Sequence, residues 1–86
     1  MEKIWKLYML CCGDGSLYTG ITDDIQRRLA AHRTGKGAKY TKPRRPVELV
    51  YYEEYGDKGE ALARECAIKK LTRAQKEDLI AGAQKK

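Results

Sequence analysis

Five polar side chains stand out in this 86-residue chain because the pattern around each aims it inward: Tyr8, Tyr18, Arg28, His32 and Glu65. An unperturbed imidazole titrates at about 6.5 and a guanidinium grips anionic oxygens through its planar fork, so such a set can move a proton and hold an anion. Singly, each has a bland explanation: His32 as a hydrogen-bonded packing histidine, Glu65 as the partner of Arg28 or of a lysine. Together they are harder to dismiss. A buried ionised group is costly unless paired, and five polar groups converging in so small a core displace apolar packing. The set reads as a functional site.

The elements that must position these residues follow from local pattern. Ile4 to Cys12 is a β-branched, aromatic and aliphatic run, bounded by Gly13-Asp14-Gly15 and resumed from Ser16 to Thr22, which predicts a hairpin. A three-residue loop pairs Cys12 with Ser16, Leu10 with Tyr18 and Tyr8 with Gly20, so Tyr8 and Tyr18 lie diagonally on one face. Thr22-Asp23-Asp24 supplies a cap and first-turn acids for a helix running to about Thr34, stopped by Gly35-Lys36-Gly37. Arg28 and His32 share the face of Ile25 and Leu29 on that helix. Pro46 to Tyr55 predicts a third strand. Asp57 with Glu60 fits a capping box for a helix through Leu71, on which Ala61, Leu62, Glu65 and Ile68 share a face, and Thr72 with Gln75 repeats the signal for a helix to about Ala83. Gln84-Lys85-Lys86 reads as a frayed tail. The order β-β-α-β-α-α makes an α+β domain over residues 1–86, a three-stranded antiparallel sheet flanked by helices.

Composition narrows the partners. With 42% hydrophobic and 35% charged residues, the chain has enough apolar material to collapse into one small core. No apolar run approaches the ~20 residues that span a bilayer, and the start lacks a signal peptide's apolar stretch, so a soluble, cytoplasmic protein is expected. Cys11, Cys12 and Cys66 have no metal-ligand spacing and are expected to be buried small apolar residues. Eighteen Lys and Arg against twelve Asp and Glu give +6. Six of the basic residues, Arg33, Lys36, Lys39, Lys42, Arg44 and Arg45, fall in one acid-free stretch, 33–45, so the rest of the chain holds twelve of each sign. That stretch also carries Gly35, Gly37, Tyr40, Pro43 and Pro46. A solvated loop is the plain reading. The favoured one is a polyanion-binding loop in which Lys36, Lys39, Lys42, Arg44 and Arg45 follow a phosphate backbone while Tyr40 stacks on a base or sugar.

At the inward set the sequence resembles the GIY-YIG nuclease superfamily. Lys6-Leu7-Tyr8 matches the first half of the motif, with Lys6 in the place of Gly, and Tyr18-Thr19-Gly20 the second, nine residues apart. Arg28, within Ile25-Gln26-Arg27-Arg28, is similar to the family's L-x-x-R helix signature, and Glu65-Cys66-Ala67-Ile68-Lys69-Lys70 is similar to the segment holding its single metal-binding glutamate. Leu17-Tyr18-Thr19-Gly20-Ile21-Thr22, Gly37-Ala38-Lys39-Tyr40-Thr41 and Leu49-Val50-Tyr51 resemble the small, stand-alone bacterial (YhbQ-like) branch. Many family nucleases complete the site with an Asn after the glutamate helix; this chain contains no Asn.

The resemblance implies metal-dependent hydrolysis of phosphodiester bonds, DNA being the expected substrate given the family's work in DNA repair, restriction and element mobility, with RNA left open. It implies Mg²⁺ or Mn²⁺ on Glu65, Arg28 gripping a non-bridging phosphate oxygen, Tyr8 or Tyr18 orienting or deprotonating the water with its phenolate favoured by Arg28 and the metal, and His32 relaying the proton or holding the tyrosine. Two other readings stand beside it: a nucleic-acid-binding module of the same fold with little catalysis, and a subunit targeted by a protein partner.

Overall fold

The structure is a computed structural model that describes residues 4–37, 39 and 41–84. The chain runs β1 (Trp5–Cys12), β2 (Leu17–Thr22), α1 (Ile25–Arg33), a single 3₁₀ turn (Lys42–Arg44), β3 (Val47–Tyr55), α2 (Lys58–Lys69) and α3 (Arg73–Gln84). The strands form one antiparallel sheet in the order β2-β1-β3, so β1 is the central strand and β2 an edge. This is the α+β arrangement that the sequence order predicts.

The hairpin closes as its loop chemistry dictates. Cys12 N–H donates to Ser16 O, Gly15 N–H donates to Cys12 O, and Gly15 sits at φ 85°, a left-handed position that needs glycine. Asp14 caps the loop by accepting from the backbone and hydroxyl of Ser16. The register that follows pairs Tyr8 with Gly20 and Leu10 with Tyr18.

Period-two alternation then sorts β1 onto two faces. Tyr8, Leu10 and Cys12 point to one side with Val47, where Ile25 and Leu29 of α1 cover them. Leu7 and Met9 point to the other, against Ile68 of α2 and Leu79 and Ile80 of α3. On β3 a bulge opposite Met9 and Leu10 shifts the register, and Val50 and Tyr51 both join the second cluster. That second face is clasped by Glu53, which accepts from the hydroxyls of Tyr51 and Tyr55 and from both Nε and Nη2 of Arg64 on α2. Against its own burial, these donors hold the Glu53 carboxyl below its usual range, while burial and then the hydrogen bond to Glu53 push the Tyr51 phenol up to about 12.

Several boundaries differ from the sequence reading, each for a local reason. Asp24 is the N-cap of α1, accepting from Arg27 N–H, so Asp23 and Asp24 precede the first turn and no acid lies within it. Asp57 sits at the N-cap of α2 without a side-chain cap bond, whereas Thr72 and Gln75 do exchange both bonds of a capping box. That box ends α2 at Lys69, short of Leu71. Leu62 is 44% exposed, off the buried stripe of Ala61 and Ile68. Of the cysteines only Cys12 is buried; Cys66 is exposed because it falls on the solvent side of α2. Gln84 closes α3 and is not part of a tail; Lys85 and Lys86 lie outside the described residues.

Candidate functional site

The face covered by α1 carries a continuous polar chain. Tyr8, 2% exposed, projects from the central strand, and the hydroxyl meets His32 Nε2 at 2.9 Å and Arg28 Nε at 3.3 Å. On its far side His32 Nδ1 lies 2.7 Å from Thr41 Oγ1, with both residues fully buried. One assignment satisfies these contacts: Arg28 Nε–H donates to the Tyr8 oxygen, Tyr8 O–H donates to Nε2, and Nδ1–H donates to Thr41 Oγ1. Tyr18, half-buried on the edge strand, joins through its ring, whose centroid is 5.2 Å from that of His32 and 6.3 Å from that of Tyr8, and stands near enough to help hold Arg28 protonated.

Local sequence explains the fit. Arg28 and His32 are one helical turn apart, so both reach the same strip of sheet. The site is packed closely enough that glycine is required twice. A Cβ on Gly20, directly across the ladder from Tyr8, would stand 2.7 Å from the Tyr8 hydroxyl, and one on Gly37 would drive into the His32 ring. The glycine of Tyr18-Thr19-Gly20 therefore makes room for the other tyrosine.

Electrostatics decide the protonation states. Burial, with Arg28 nearby, pushes the His32 imidazole below its ordinary 6.5, so it is neutral at pH 7 and one ring nitrogen is an acceptor, Nε2 in the assignment above. Burial also pushes the Tyr8 phenol above 10.0, and the Arg28 hydrogen bond only partly offsets it. The phenolate that the resemblance implies is thus not favoured at Tyr8 by Arg28 alone. Arg28 itself is held more firmly protonated by its tyrosine contacts.

Glu65 reaches this centre differently. It belongs to α2, whose Ile68 packs with Leu7 and Met9 on the face of the sheet opposite α1, while Tyr8, Tyr18, Arg28 and His32 meet on the α1 side. Its carboxylate is 19% exposed and pairs with Lys69 Nζ at 3.5 Å, not with Arg28, yet its charge is felt at the Tyr8 phenol. Among the described residues no three His, Cys, Asp or Glu gather as a metal cluster. The donor set is therefore one carboxylate, which fits Mg²⁺, an ion that keeps most of its waters.

Two described residues of the basic stretch, Thr41 and Arg44, are tied to the same centre and its hairpin. Thr41 ties the stretch to His32, while Arg44 pairs with Asp14 at 3.1 Å and its carbonyl accepts from Gly13 N–H at 2.6 Å. Lys36, Lys39, Lys42 and Arg45 are exposed, Arg45 Nε donating to the Lys42 carbonyl; Tyr40 lies outside the described residues. Thr41 is the member that the sequence reading missed, since a lone threonine in a basic loop carries no periodic signal. A cleft of about 400 Å³ beside Arg28, lined by Thr22, Asp23, Asp24, Arg27 and Ala31, gives the guanidinium access to solvent.

Comparison with known proteins agrees. The GIY-YIG catalytic domain family matches residues 4–78. A UPF0213 protein of Staphylococcus epidermidis is 58% identical over 74 residues, covering 86% of this chain and 90% of its own length. Another from Streptococcus sanguinis is 54% identical over 76 residues, covering 88% of this chain and 87% of that protein. Two solution structures share the fold. A UPF0213 protein from Bacillus halodurans has 45% identity and a TM-score of 0.60, over 91% of this chain and 83% of that one. A protein from E. faecalis has 43% identity and a TM-score of 0.67, over 100% of this chain and 94% of that one. With the two tyrosines, the arginine and the histidine gathered on one strip of sheet and the glutamate on the helix behind it, the chain belongs to the GIY-YIG family, among its small UPF0213 members.

Proposed function

We propose that this chain is a metal-dependent endonuclease that hydrolyses phosphodiester bonds in DNA. The observation that carries the reading is the buried Arg28–Tyr8–His32–Thr41 chain, a neutral proton acceptor held in place behind a solvent-reaching guanidinium.

Hydrolysis needs a proton removed from water and positive charge beside the phosphate. The donors of Arg28 not used by the tyrosines meet a non-bridging oxygen and gain strength as charge builds there. The water's proton passes to the Tyr8 hydroxyl as Tyr8 gives its own to His32 Nε2, a concerted transfer that never requires a free phenolate in the buried site. In the tautomer assigned above, Nδ1–H donates to Thr41 Oγ1 and Nε2 is the acceptor. Tyr18, nearer solvent, orients the water. Glu65 would hold Mg²⁺ or Mn²⁺, which supplies charge neutralisation at the phosphate when bound. The exposed cations of the 33–45 stretch supply affinity for the backbone.

A second reading, a nucleic-acid-binding module with little catalysis, is favoured by the raised Tyr8 phenol and the absent Asn. Nicking of supercoiled DNA by the purified protein separates the two. Glu65→Gln should abolish Mg²⁺-dependent nicking yet barely move the melting temperature, because its i,i+4 pair with the exposed Lys69 is worth only about 0.3–0.5 kcal/mol. Wild-type protein that binds supercoiled, single-stranded and branched DNA but cuts none under Mg²⁺ or Mn²⁺ would establish the binding module instead.

A further inference from the structure

A second groove lies on the other side of the β2 edge. It has a volume of about 270 Å³ and is lined by Leu17, Tyr18 and Thr19 of β2, Lys69 of α2 and Lys76 of α3. Alternation turns Thr19 away from the tyrosine face, towards the side covered by α2 and α3. Thr19 is 4% exposed, and its Oγ1 is the one buried side-chain polar atom among the described residues with no hydrogen-bond partner. Native cores rarely leave such an atom orphaned, and this one belongs to a residue that lines the groove, where a small rotation of the side chain would offer its hydroxyl to a group seated there.

The lining specifies what that ligand is. Two ammonium groups and a hydroxyl are donors, and no carboxylate among the described residues pairs with Lys76. We propose that this groove is a phosphate subsite, holding a backbone phosphate of the substrate strand next to the one at Arg28. The identity of the strand rests on the nuclease reading above; the anion site itself rests on the groove. Tyr18 lines the groove and also contacts the Arg28 and His32 cluster, so a single strand crossing the β2 edge touches both places. Lys69 and Lys76 lie outside the basic 33–45 stretch, in the part of the chain where charges balance, which hides them from any count of net charge.

Binding of a fluorescent single-stranded oligonucleotide, measured in EDTA across a salt series, tests this. Lys69 is left intact because it also pairs with Glu65. Lys76→Met should lower affinity and reduce the log–log salt slope by about 0.7, the value for one single-strand phosphate contact. Thr19→Val should cost roughly tenfold in affinity, as a lost hydrogen bond to a charged group does, without lowering the melting temperature, because the hydroxyl has no partner to lose among the described residues. The Thr19 amide resonance should shift with the oligonucleotide. Wild-type affinity and slope in both variants would overturn the subsite while leaving nicking untouched, and loss of nicking in the wild type would leave these affinity losses standing. A Thr19 shift produced by inorganic phosphate but not by the oligonucleotide would overturn the assignment to the substrate strand. Should Thr19→Val fail to fold, Lys76→Met, on a half-buried helical position, carries the test alone.

Discussion

Gly20→Ala tests whether the tyrosine site is as tightly built as its distances indicate. The new methyl would stand 2.7 Å from the Tyr8 hydroxyl, 2.9 Å from its Cζ and 3.2 Å from Cε2 of Tyr18. The Tyr8 ring cannot yield freely: it is 2% exposed, packed with Leu10, Cys12 and Val47, and its hydroxyl is held by His32 and Arg28. Overpacking of this kind costs about 1–3 kcal/mol, and displacing the hydroxyl from one buried partner adds about 1 kcal/mol. The expected loss is roughly 2–4 kcal/mol out of the roughly 4–13 kcal/mol available to a domain of this length. At about 4 °C or more per kcal/mol, the melting temperature should fall by at least about 8 °C. Nicking should fall further than stability explains, because the proposed proton route through the Tyr8–His32 contact would be broken even in molecules that remain folded. Thermal melts and nicking below the variant's own transition read the two effects separately. A melting temperature within about 4 °C of wild type, together with wild-type cleavage, would refute the claim that Gly20 is there to make room for Tyr8.

The other predictions follow from the same geometry. His32 is the chain's one histidine and its folded pKa lies below the unfolded 6.5, so the unfolded state takes up the proton first; stability should be full above about 6.5 and decline as pH falls below it, and a flat melting temperature between pH 6.5 and 5 would contradict its neutral burial. The Tyr8 phenol has the opposite sign: raised above 10.0, it contributes stability that is present below that value and lost as pH rises through its folded pKa, visible as a drop in melting temperature that Tyr8→Phe should lessen. Glu53→Ala leaves two tyrosine hydroxyls and Arg64 without their acceptor and should cost roughly 2–4 kcal/mol in urea unfolding, against under about 1 kcal/mol if water replaces it fully. Replacing Lys36, Lys39 and Lys42 together by Ala should lower the salt slope of duplex binding by up to about 0.9 per lost phosphate contact with little change in melting temperature, whereas Arg44→Ala should also loosen the hairpin loop that it ties through Asp14; equal salt slopes in the triple variant and wild type would make the stretch merely solvated.

What could be read from sequence alone was whatever has a period or a turn chemistry. The hairpin register was legible because Gly13-Asp14-Gly15 admits few loop geometries, and Arg28 and His32 were legible because helical spacing from Ile25 put them beside Leu29. Contacts between distant segments have no such signature. Nothing in Gly37-Ala38-Lys39-Tyr40-Thr41 says that Thr41 closes the histidine network, and while the i,i+4 spacing of Glu65 and Lys69 does offer that lysine as the carboxylate's partner, nothing in Glu65-Cys66-Ala67-Ile68-Lys69 says that α2 packs on the face opposite α1. The sign of the Tyr8 shift was equally hidden, because it depends on how deeply the ring is buried against how closely Arg28 approaches.

The edge strand β2 explains how so small a chain holds both halves of a polar site. Exposed edges are usually a hazard, and this one is kept to six residues with Gly20 inside it. Because side chains alternate, Tyr18 and Gly20 serve the face with Arg28 and His32, while Thr19 between them serves the face with Lys69 and Lys76. A slip of one residue would exchange the two sets, placing Thr19 against Tyr8 and a tyrosine against the lysines. The left-handed Gly15 and the Asp14 cap prevent that slip by fixing the loop, and Arg44 fastens the loop to the basic stretch. Hairpin, tyrosine site and basic stretch are thus one mechanical unit, so under the proposed nuclease reading Asp14→Ala should lower nicking although Asp14 touches none of the site, and wild-type nicking in that variant would refute the coupling.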